Sequence, residues 1–270
     1  MKYKKLVIIL ASIIGFIALC FLLSFTLFRV SAVELNFKNG TTLFASEERQ
    51  KAVIKSGDFS YSTPVFGVNK AEIIDKLELE NSYLKVINIE TVFPNKLVVH
   101  CAEREELFAI KIGDNLYYIC DADLKVLRMD TQVVLDQTSA VVLENVEVVD
   151  KTVKVGEKLK LLTDENYVKD IPNAFAFNNK TIADIKGMFK SISIEYQINY
   201  YTLTSAPVFT FTTFDGFKIK VGLPSSFFIE KINTMLTLIP LSTEYYKTHC
   251  LVLEINPNNI HDTYFRYIKN

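Results

Sequence analysis

The chain has 270 residues, and its 30 lysines and arginines nearly balance 31 aspartates and glutamates, which leaves a formal charge of −1. No basic patch stands out along it, so we expect neither a nucleic-acid partner nor a nucleic-acid function. Its four cysteines are widely spaced and include no C-x-x-C pair, so we do not expect a disulfide framework in a chain of this size.

The first segment for which the sequence predicts a secondary-structure element is apolar. Residues 6–28 include no charged side chain over 23 positions. As a helix of about 1.5 Å per residue they would extend about 34 Å, enough to cross a hydrocarbon core of about 30 Å. Lysines at positions 2, 4 and 5 place residues 1–5 in the cytoplasm and the chain after Arg29 outside. A cleaved signal peptide is the alternative, with small residues at 30–32, but its h-region is normally shorter. We therefore expect an uncleaved transmembrane helix.

Residues 31–80 predict one strand followed by two helices. The alternating stretch SAVELNFKNG ends at an Asn-Gly pair and predicts a short strand and a turn. Ser46 is a suitable N-cap for a helix that stops at Gly57. Asn69 caps the next helix, and Glu72 three residues later completes a capping-box pattern.

A β-hairpin follows these helices. Its strands are LKVINIETV (84–92) and LVVHCAERE (97–105), and the Pro-Asn pair at 94–95 predicts the tight turn between them. Strict alternation places Ile87 and Ile89 on the same face of the first strand. The order strand, helix, helix, hairpin is typical of a small α+β domain.

The remainder of the chain is rich in strand patterns. Residues 108–162 contain several apolar alternating runs, the last of them KTVKVGEKLKLL. A helix is predicted over 180–191, and Asp215-Gly216 predicts a hairpin. Another helix is predicted between Pro224 and Pro240, and THCLVLEIN (248–256) predicts a final strand.

Three blocks, in this order, resemble the FtsQ/DivIB family of bacterial cell-division proteins. GVNKAEIIDKLELENSYLKVINIETVFPNKLVVHCAEREELFAI (67–110) is similar to the hairpin end of an FtsQ-type POTRA domain. NLYYICDADLKVL (115–127) is similar to the first strands after that domain, and FTFTTFDGFKIKVGLPSSFFIEKINTMLTLIPL (209–241) to a later hairpin and long helix. The last strand departs from the family, because Glu254 stands where aspartate is usual and Pro257 replaces an aromatic residue.

The resemblance implies an α+β fold with four parts beyond the cytoplasmic tail of residues 1–5. These are a single transmembrane helix (6–28), a POTRA-like domain (29–108), a larger β-rich domain with two helices (109–260) and a C-terminal tail (261–270). It implies a scaffold outside the cytoplasmic membrane that recruits other division proteins at the septum. The implied partners are FtsL-type and FtsB/DivIC-type small bitopic proteins, with no small-molecule substrate.

We expect the partner to bind by β-strand addition, because a strand at the edge of a sheet has unpaired backbone groups. A final strand without a successor would lie at such an edge. The predicted site residues are Leu251, Val252, Leu253, Glu254, Ile255, Asn256, Tyr264, Phe265 and Tyr267. The last three are either exposed anchors or part of a tail folded back on its own domain. Glu103, Arg104 and Glu105 form either a solvated strand end or a polar docking surface of the POTRA-like domain.

The sequence predicts no catalytic, cofactor-binding or metal-binding residues. The three histidines, His100, His249 and His261, lack the spacing of metal ligands. His249 next to Cys250 suggests the alternative class, a membrane-anchored extracellular enzyme or sensor with sortase-like thiol chemistry. Adjacent side chains on a strand point to opposite faces, however, so these two cannot form a hydrogen-bonded pair.

The cysteines outside the predicted span are Cys101, Cys120 and Cys250. We expect three buried thiols, and a single disulfide between Cys101 and Cys120 is the open alternative.

Overall fold

The structure, a computed structural model, describes residues 2–114, 116–131, 139–162, 165–199, 204–222, 228–238, 249–255 and 263–269. The chain divides into two compact units, Met1–Arg104 and Glu105–Asn270. Each combines helices with strands, so the predicted α+β class is confirmed. The predicted domain limits, 29–108 and 109–260, stay predictions.

The first unit has the predicted order of strand, helix, helix and hairpin after an N-terminal helix. Its sheet has the strand order β1-β3-β2, with β1 parallel and β2 antiparallel to β3. Parallel strands need a long crossover, which the two helices between β1 and β2 supply. The elements are α1 (Lys2–Thr26), β1 (Ala32–Phe37), α2 (Glu47–Ser56), α3 (Lys70–Glu80), β2 (Leu84–Val92) and β3 (Lys96–Glu103).

α1 is a helix of 25 residues that begins among the N-terminal lysines. Several of its apolar side chains are exposed, among them Val7 at 63% and Phe16 at 67%. The residues that the structure describes include no helix with both the length and the apolar character that a membrane crossing requires.

Both predicted N-caps are confirmed. The hydroxyl of Ser46 accepts a hydrogen bond from the backbone N–H of Arg49 at 3.3 Å, and the amide oxygen of Asn69 accepts one from Glu72 N–H at 3.4 Å. The capping box at Asn69 is incomplete. The Glu72 carboxylate accepts from the side-chain amide of Asn69 at 3.3 Å, whereas a capping box would bind the backbone N–H.

The hairpin is confirmed, but the alternation within β2 is not. Val86 pairs with Cys101 and Asn88 with the preceding residue of β3, so Ile87 is the extra residue of a β-bulge. Ile87 is 58% exposed, while Ile89 is 5% exposed. The prediction that these two isoleucines share a face is wrong, because one inserted residue reverses the alternation on one side of it.

One apolar core lies between the sheet and the helices of the first unit. Leu97 and Val99 of β3 are fully buried and belong to the same cluster as Leu77 of α3. Fully burying a side chain of this size stabilises a fold by about 1.5–3 kcal/mol, so the hairpin and the helix depend on each other.

The second unit contains a sheet of nine strands among the described residues, in the order β12-β11-β10-β9-β8-β7-β4-β5-β6. Phe209 and Phe211 of β9 are fully buried in its core, as are Ile232 and Met235 of the last helix. The elements are β4 (Phe108–Gly113), β5 (Leu116–Cys120), β6 (Val126–Asp130), β7 (Val141–Glu144), α4 (Glu165–Phe177), α5 (Ile182–Met188), β8 (Phe189–Asn199), β9 (Thr204–Thr213), β10 (Lys218–Gly222), α6 (Phe228–Leu238), β11 (His249–Ile255) and β12 (Thr263–Lys269).

The second unit differs from the sequence predictions at three places before β11. α4 was not predicted, and it contains Pro172 within the helix. The predicted helix over 180–191 ends at Met188, because the following residues belong to β8. The predicted strand over 151–162 forms only isolated bridges, one of them between Val148 and Leu161. The hairpin at Asp215-Gly216 is confirmed, with Gly216 at φ 89° in its turn.

The C-terminal segment is a strand and not a tail. The predicted final strand forms β11, but β12 follows it and pairs with it antiparallel along seven residues. β11 also pairs in parallel with β10, so it lies inside the sheet. The prediction that the strand over 248–256 is an edge strand is therefore wrong. Apolar residues without a clear period, such as those after 262, can still form a strand when a neighbour supplies the pairing.

The bulge predicts different effects for two chemically identical substitutions. Ile89→Asp should lower the free energy of unfolding of the first unit by about 3 kcal/mol or more, because it buries a carboxylate. Ile87→Asp should change it by no more than about 0.5 kcal/mol, because the side chain is exposed. Hydrogen exchange of the β2 and β3 amides in the full chain would measure both. Equal losses of protection would contradict the bulge.

Candidate docking edges

Within the described residues each sheet has two edge strands. They are β1 and β2 in the first unit, and β6 and β12 in the second. A free edge has a row of N–H and C=O groups that can pair with another chain, and proteins that avoid such pairing cover or distort their edges. The four edges differ in how far they are covered or distorted.

The outer edge of β2 is distorted. The bulge at Ile87 interrupts its regular spacing. In addition, the Glu78 carboxylate accepts the backbone N–H of Val86 at 2.8 Å, so one edge donor already has a partner. Both features oppose the addition of a strand.

The outer edge of β6 is partly covered. Val126 N–H donates to the carbonyl of Glu157 at 2.9 Å, and Gly156 N–H donates back to the carbonyl of Val126 at 2.8 Å. An isolated bridge between Lys125 and Lys158 extends this cover by one residue. The segment that was predicted as a strand thus protects this edge.

β1 and β12 have no strand on their outer sides among the residues described. β1 has six residues and pairs in parallel with β3, while β12 has seven and pairs antiparallel with β11 without a bulge. β12 therefore offers the longest regular edge in the described part of the chain.

The predicted partner-binding residues fall on two neighbouring strands. The first group, Leu251 to Ile255, lies in β11, which pairs with β12 at all five residues and with β10 from Leu251 to Leu253. Asn256 lies outside the described residues. The aromatic residues lie in β12, at the edge itself. The backbone register places Tyr264 opposite Glu254, Phe265 opposite Leu253 and Tyr267 opposite Leu251.

Glu103 anchors a loop of the first unit. Burial on its own raises the pKa of its carboxyl, but hydrogen bonds from Thr41, Leu43 and Thr42 outweigh burial and hold the pKa below its ordinary value. The carboxylate accepts these bonds from Thr41 Oγ1 at 2.6 Å, Thr42 N and Oγ1 at 2.9 and 3.0 Å, and Leu43 N at 3.1 Å.

Arg104 is buried, and its prediction as a surface residue is wrong. Its guanidinium donates to the Glu78 carboxylate at 2.7 Å and to the carbonyl of Leu84 at 3.1 Å. Its backbone N–H donates to the carbonyl of Tyr83 at 2.8 Å. Glu105, by contrast, is exposed. The ion pair joins residues 26 positions apart, so no local sequence pattern indicates it.

Comparisons with known proteins identify one matching domain family and two similar proteins. Residues 46–104 match the model of the FtsQ-type POTRA domain. The cell division protein DivIB of Clostridium botulinum strain Hall is 24% identical over 239 residues, which cover 88% of this chain and 82% of that protein. Both findings support the FtsQ/DivIB family that the sequence predicts. The DivIB of C. botulinum strain Loch Maree is 27% identical over 119 residues, which cover 44% of this chain and 43% of that protein.

Cys101 and Cys120 are buried free thiols, as predicted, and no disulfide joins them. Burial and the nearby charge of Glu78 raise the pKa of Cys101 to about 12. Burial, with Asp121 nearby, also raises the pKa of Cys120. Such thiols are inert at neutral pH. The side chain of Cys250 lies outside the described ones, and the described residues form no cluster that could hold a metal ion.

The ion pair predicts that Arg104 stabilises the POTRA domain. Arg104→Ala should lower its free energy of unfolding by about 3 kcal/mol, because the partly buried Glu78 carboxylate would lose its bond to the buried guanidinium. Glu105→Lys should change it by no more than about 0.5 kcal/mol, because that side chain is exposed. Hydrogen exchange of residues 46–104 in the full chain would measure both, and similar effects would contradict the buried pair.

The lowered pKa of Glu103 predicts a pH dependence. A carboxyl whose pKa is lower in the folded state stabilises the fold above its unfolded pKa, and this contribution is lost as pH falls through the folded pKa. Glu103→Gln should therefore be less stable than the wild type at neutral pH, and the difference should shrink on acidification. Urea unfolding at a series of pH values measures it, and Glu105→Gln is the matched control. A difference that stays constant with pH would contradict the assignment.

Proposed function

We propose that this chain is a non-enzymatic scaffold of the bacterial division machinery that recruits and stabilises other septal proteins. Support for the division role comes from its relatives, which are cell division proteins. FtsL-type and FtsB/DivIC-type bitopic proteins are the proposed partners.

The proposal includes a membrane anchor. The sequence supports it, because residues 6–28 contain no charge and α1 would extend about 37 Å at about 1.5 Å per residue. The exposed apolar side chains of this helix are compatible with a lipid environment. The lysines before it place the N-terminus in the cytoplasm and both folded units outside, in a single-pass topology.

The outer edge of β12, which has no strand beside it among the described residues, is the observation that carries the docking proposal. It is regular over seven residues, while β2 is distorted and β6 partly covered. A partner strand added at β12 would continue the nine-stranded sheet through backbone hydrogen bonds. The site thus moves from the predicted edge at β11 to its neighbour, and Tyr264, Phe265 and Tyr267 remain within it.

The experiment is a proline scan through positions 264–268 of the full chain. On an edge strand, alternate residues direct their N–H inward to the sheet or outward to solvent. Proline removes the N–H, and edge strands tolerate it only where the N–H faces outward. We therefore expect a pattern with a period of two. One set of positions should lower the stability of the sheet, and the other should leave the fold intact but weaken binding of the FtsB/DivIC-type partner.

Two further variants complement the proline scan. Met129→Pro, in β6 at the opposite edge, is the control, and it should leave partner binding unchanged. Deleting residues 257–270 should abolish binding, although it also exposes β11. Normal binding by every folded proline variant of β12 would show that the partner docks elsewhere.

A further inference from the structure

Backbone hydrogen bonds join the end of α1 to the POTRA domain. After Thr26, the carbonyl of Phe28 accepts the N–H of Val65 at 2.8 Å, and Val30 N–H donates to the carbonyl of Thr63 at 3.0 Å. The next residue, Ser31, donates its N–H to the carbonyl of Asn95 in the hairpin turn at 2.8 Å. The chain after the helix therefore runs between the loop that contains Thr63 and Val65 and the turn of the β2–β3 hairpin. Hydrogen bonds join it to both.

Three phenylalanines gather at this entry point. The ring centroid of Phe28 lies 6.1 Å from that of Phe66 and 6.2 Å from that of Phe93. Phe66 belongs to a short 3-10 turn (Val65–Gly67), and Phe93 to the turn of the β2–β3 hairpin. Two of these rings face solvent, since Phe66 is 62% and Phe93 is 68% exposed. We call Phe28, Phe66 and Phe93 the aromatic tip.

Three further apolar or aromatic side chains near the aromatic tip in sequence are exposed. Leu27, Tyr61 and Val92 are 52%, 51% and 38% exposed. Arg29 is exposed too, and no ion pair of Arg29 occurs among the described residues. A contiguous group of exposed aromatic and aliphatic side chains is typical of an interaction surface. An arginine beside it would suit phosphate groups.

We propose that the aromatic tip inserts into the lipid–water boundary of the outer leaflet, so that the POTRA domain rests directly on the membrane. The inference rests on the proposed anchor. Phe28 lies two residues after the end of α1, within about 7 Å at about 3.6 Å per residue, so its neighbours lie at the depth where the helix would leave the bilayer. Aromatic side chains at that depth bury their rings among head groups and acyl chains, and Arg29 reaches the phosphates.

The consequence is a second attachment of the domain to the membrane. A helix alone leaves the domain free to tilt about the point where the chain exits. Rings on two loops, Phe66 and Phe93, add contacts on either side of Phe28 and restrict that tilt. The hydrogen bonds of Val30 and Ser31 make the loops and the helix end move together.

Tryptophan substitution tests this directly, because the chain contains no tryptophan. Full-length Phe66→Trp and Phe93→Trp variants would be reconstituted in phosphatidylcholine–phosphatidylglycerol vesicles. We expect blue-shifted emission and loss of most of the intensity when the lipids carry bromine near the upper part of the acyl chains. Leu79→Trp is the matched control. Its side chain is 48% exposed, next to the start of β2 and therefore roughly 26 Å along that strand from the turn.

A fourth variant tests the membrane anchor separately from the insertion of the aromatic tip. Phe16→Trp reports on α1, and its quenching by bromolipids would show that the helix is in the bilayer. Quenched Phe16→Trp with unquenched Phe66→Trp and Phe93→Trp would overturn the aromatic tip while leaving the anchor intact. Unquenched Phe16→Trp would overturn the anchor and the inference together. A blue shift without quenching would also overturn the inference, because it would indicate a protein surface covering the rings.

Discussion

The buried pair of Glu78 and Arg104 is the interaction on which the POTRA domain depends. One carboxylate binds two elements at once, since Glu78 accepts from the Arg104 guanidinium and from the Val86 N–H. It thereby joins α3 to the start of β2 and to the residue after β3. A charge pair this deep in a protein stabilises little by attraction alone, because both ions lose their hydration. Its role is geometrical, because removing either partner leaves a buried charge, and the three elements must therefore meet in one arrangement.

The same carboxylate also affects which sheet edges remain free. By accepting the Val86 N–H beside the bulge, Glu78 makes β2 a poor template for another strand. In the second unit, the segment around Glu157 occupies the edge of β6 by its own backbone. These are two different ways of closing an edge. Among the described residues β1 and β12 remain as regular edges without a neighbouring strand, and β12 is the longer by one residue.

Features that depend on a few neighbouring residues could be predicted, and features that depend on distant pairing could not. Ser46, Asn69 and the Asp215-Gly216 turn act through their own backbone neighbourhood, and all three were found as predicted. The bulge at Ile87 follows from cross-strand register, which apolar alternation alone does not reveal. β12 has no clear period and is a strand only through its pairing with β11. Arg104 looked like a surface charge because its partner is 26 residues away.

The proposed docking by strand addition depends on backbone pairing, so such a site can be kept while its amino-acid sequence changes. The relative from C. botulinum strain Hall, which matches over 88% of this chain, is only 24% identical to it. Strand addition draws its affinity from N–H and C=O groups, which every residue except proline supplies in full. The side chains of an edge strand can therefore change while the mode of binding stays the same. What must be kept is the length and regularity of the free edge. In the proposed mode of binding, partner choice would rest on the alternate side chains of β12, which could change together with those of the partner strand.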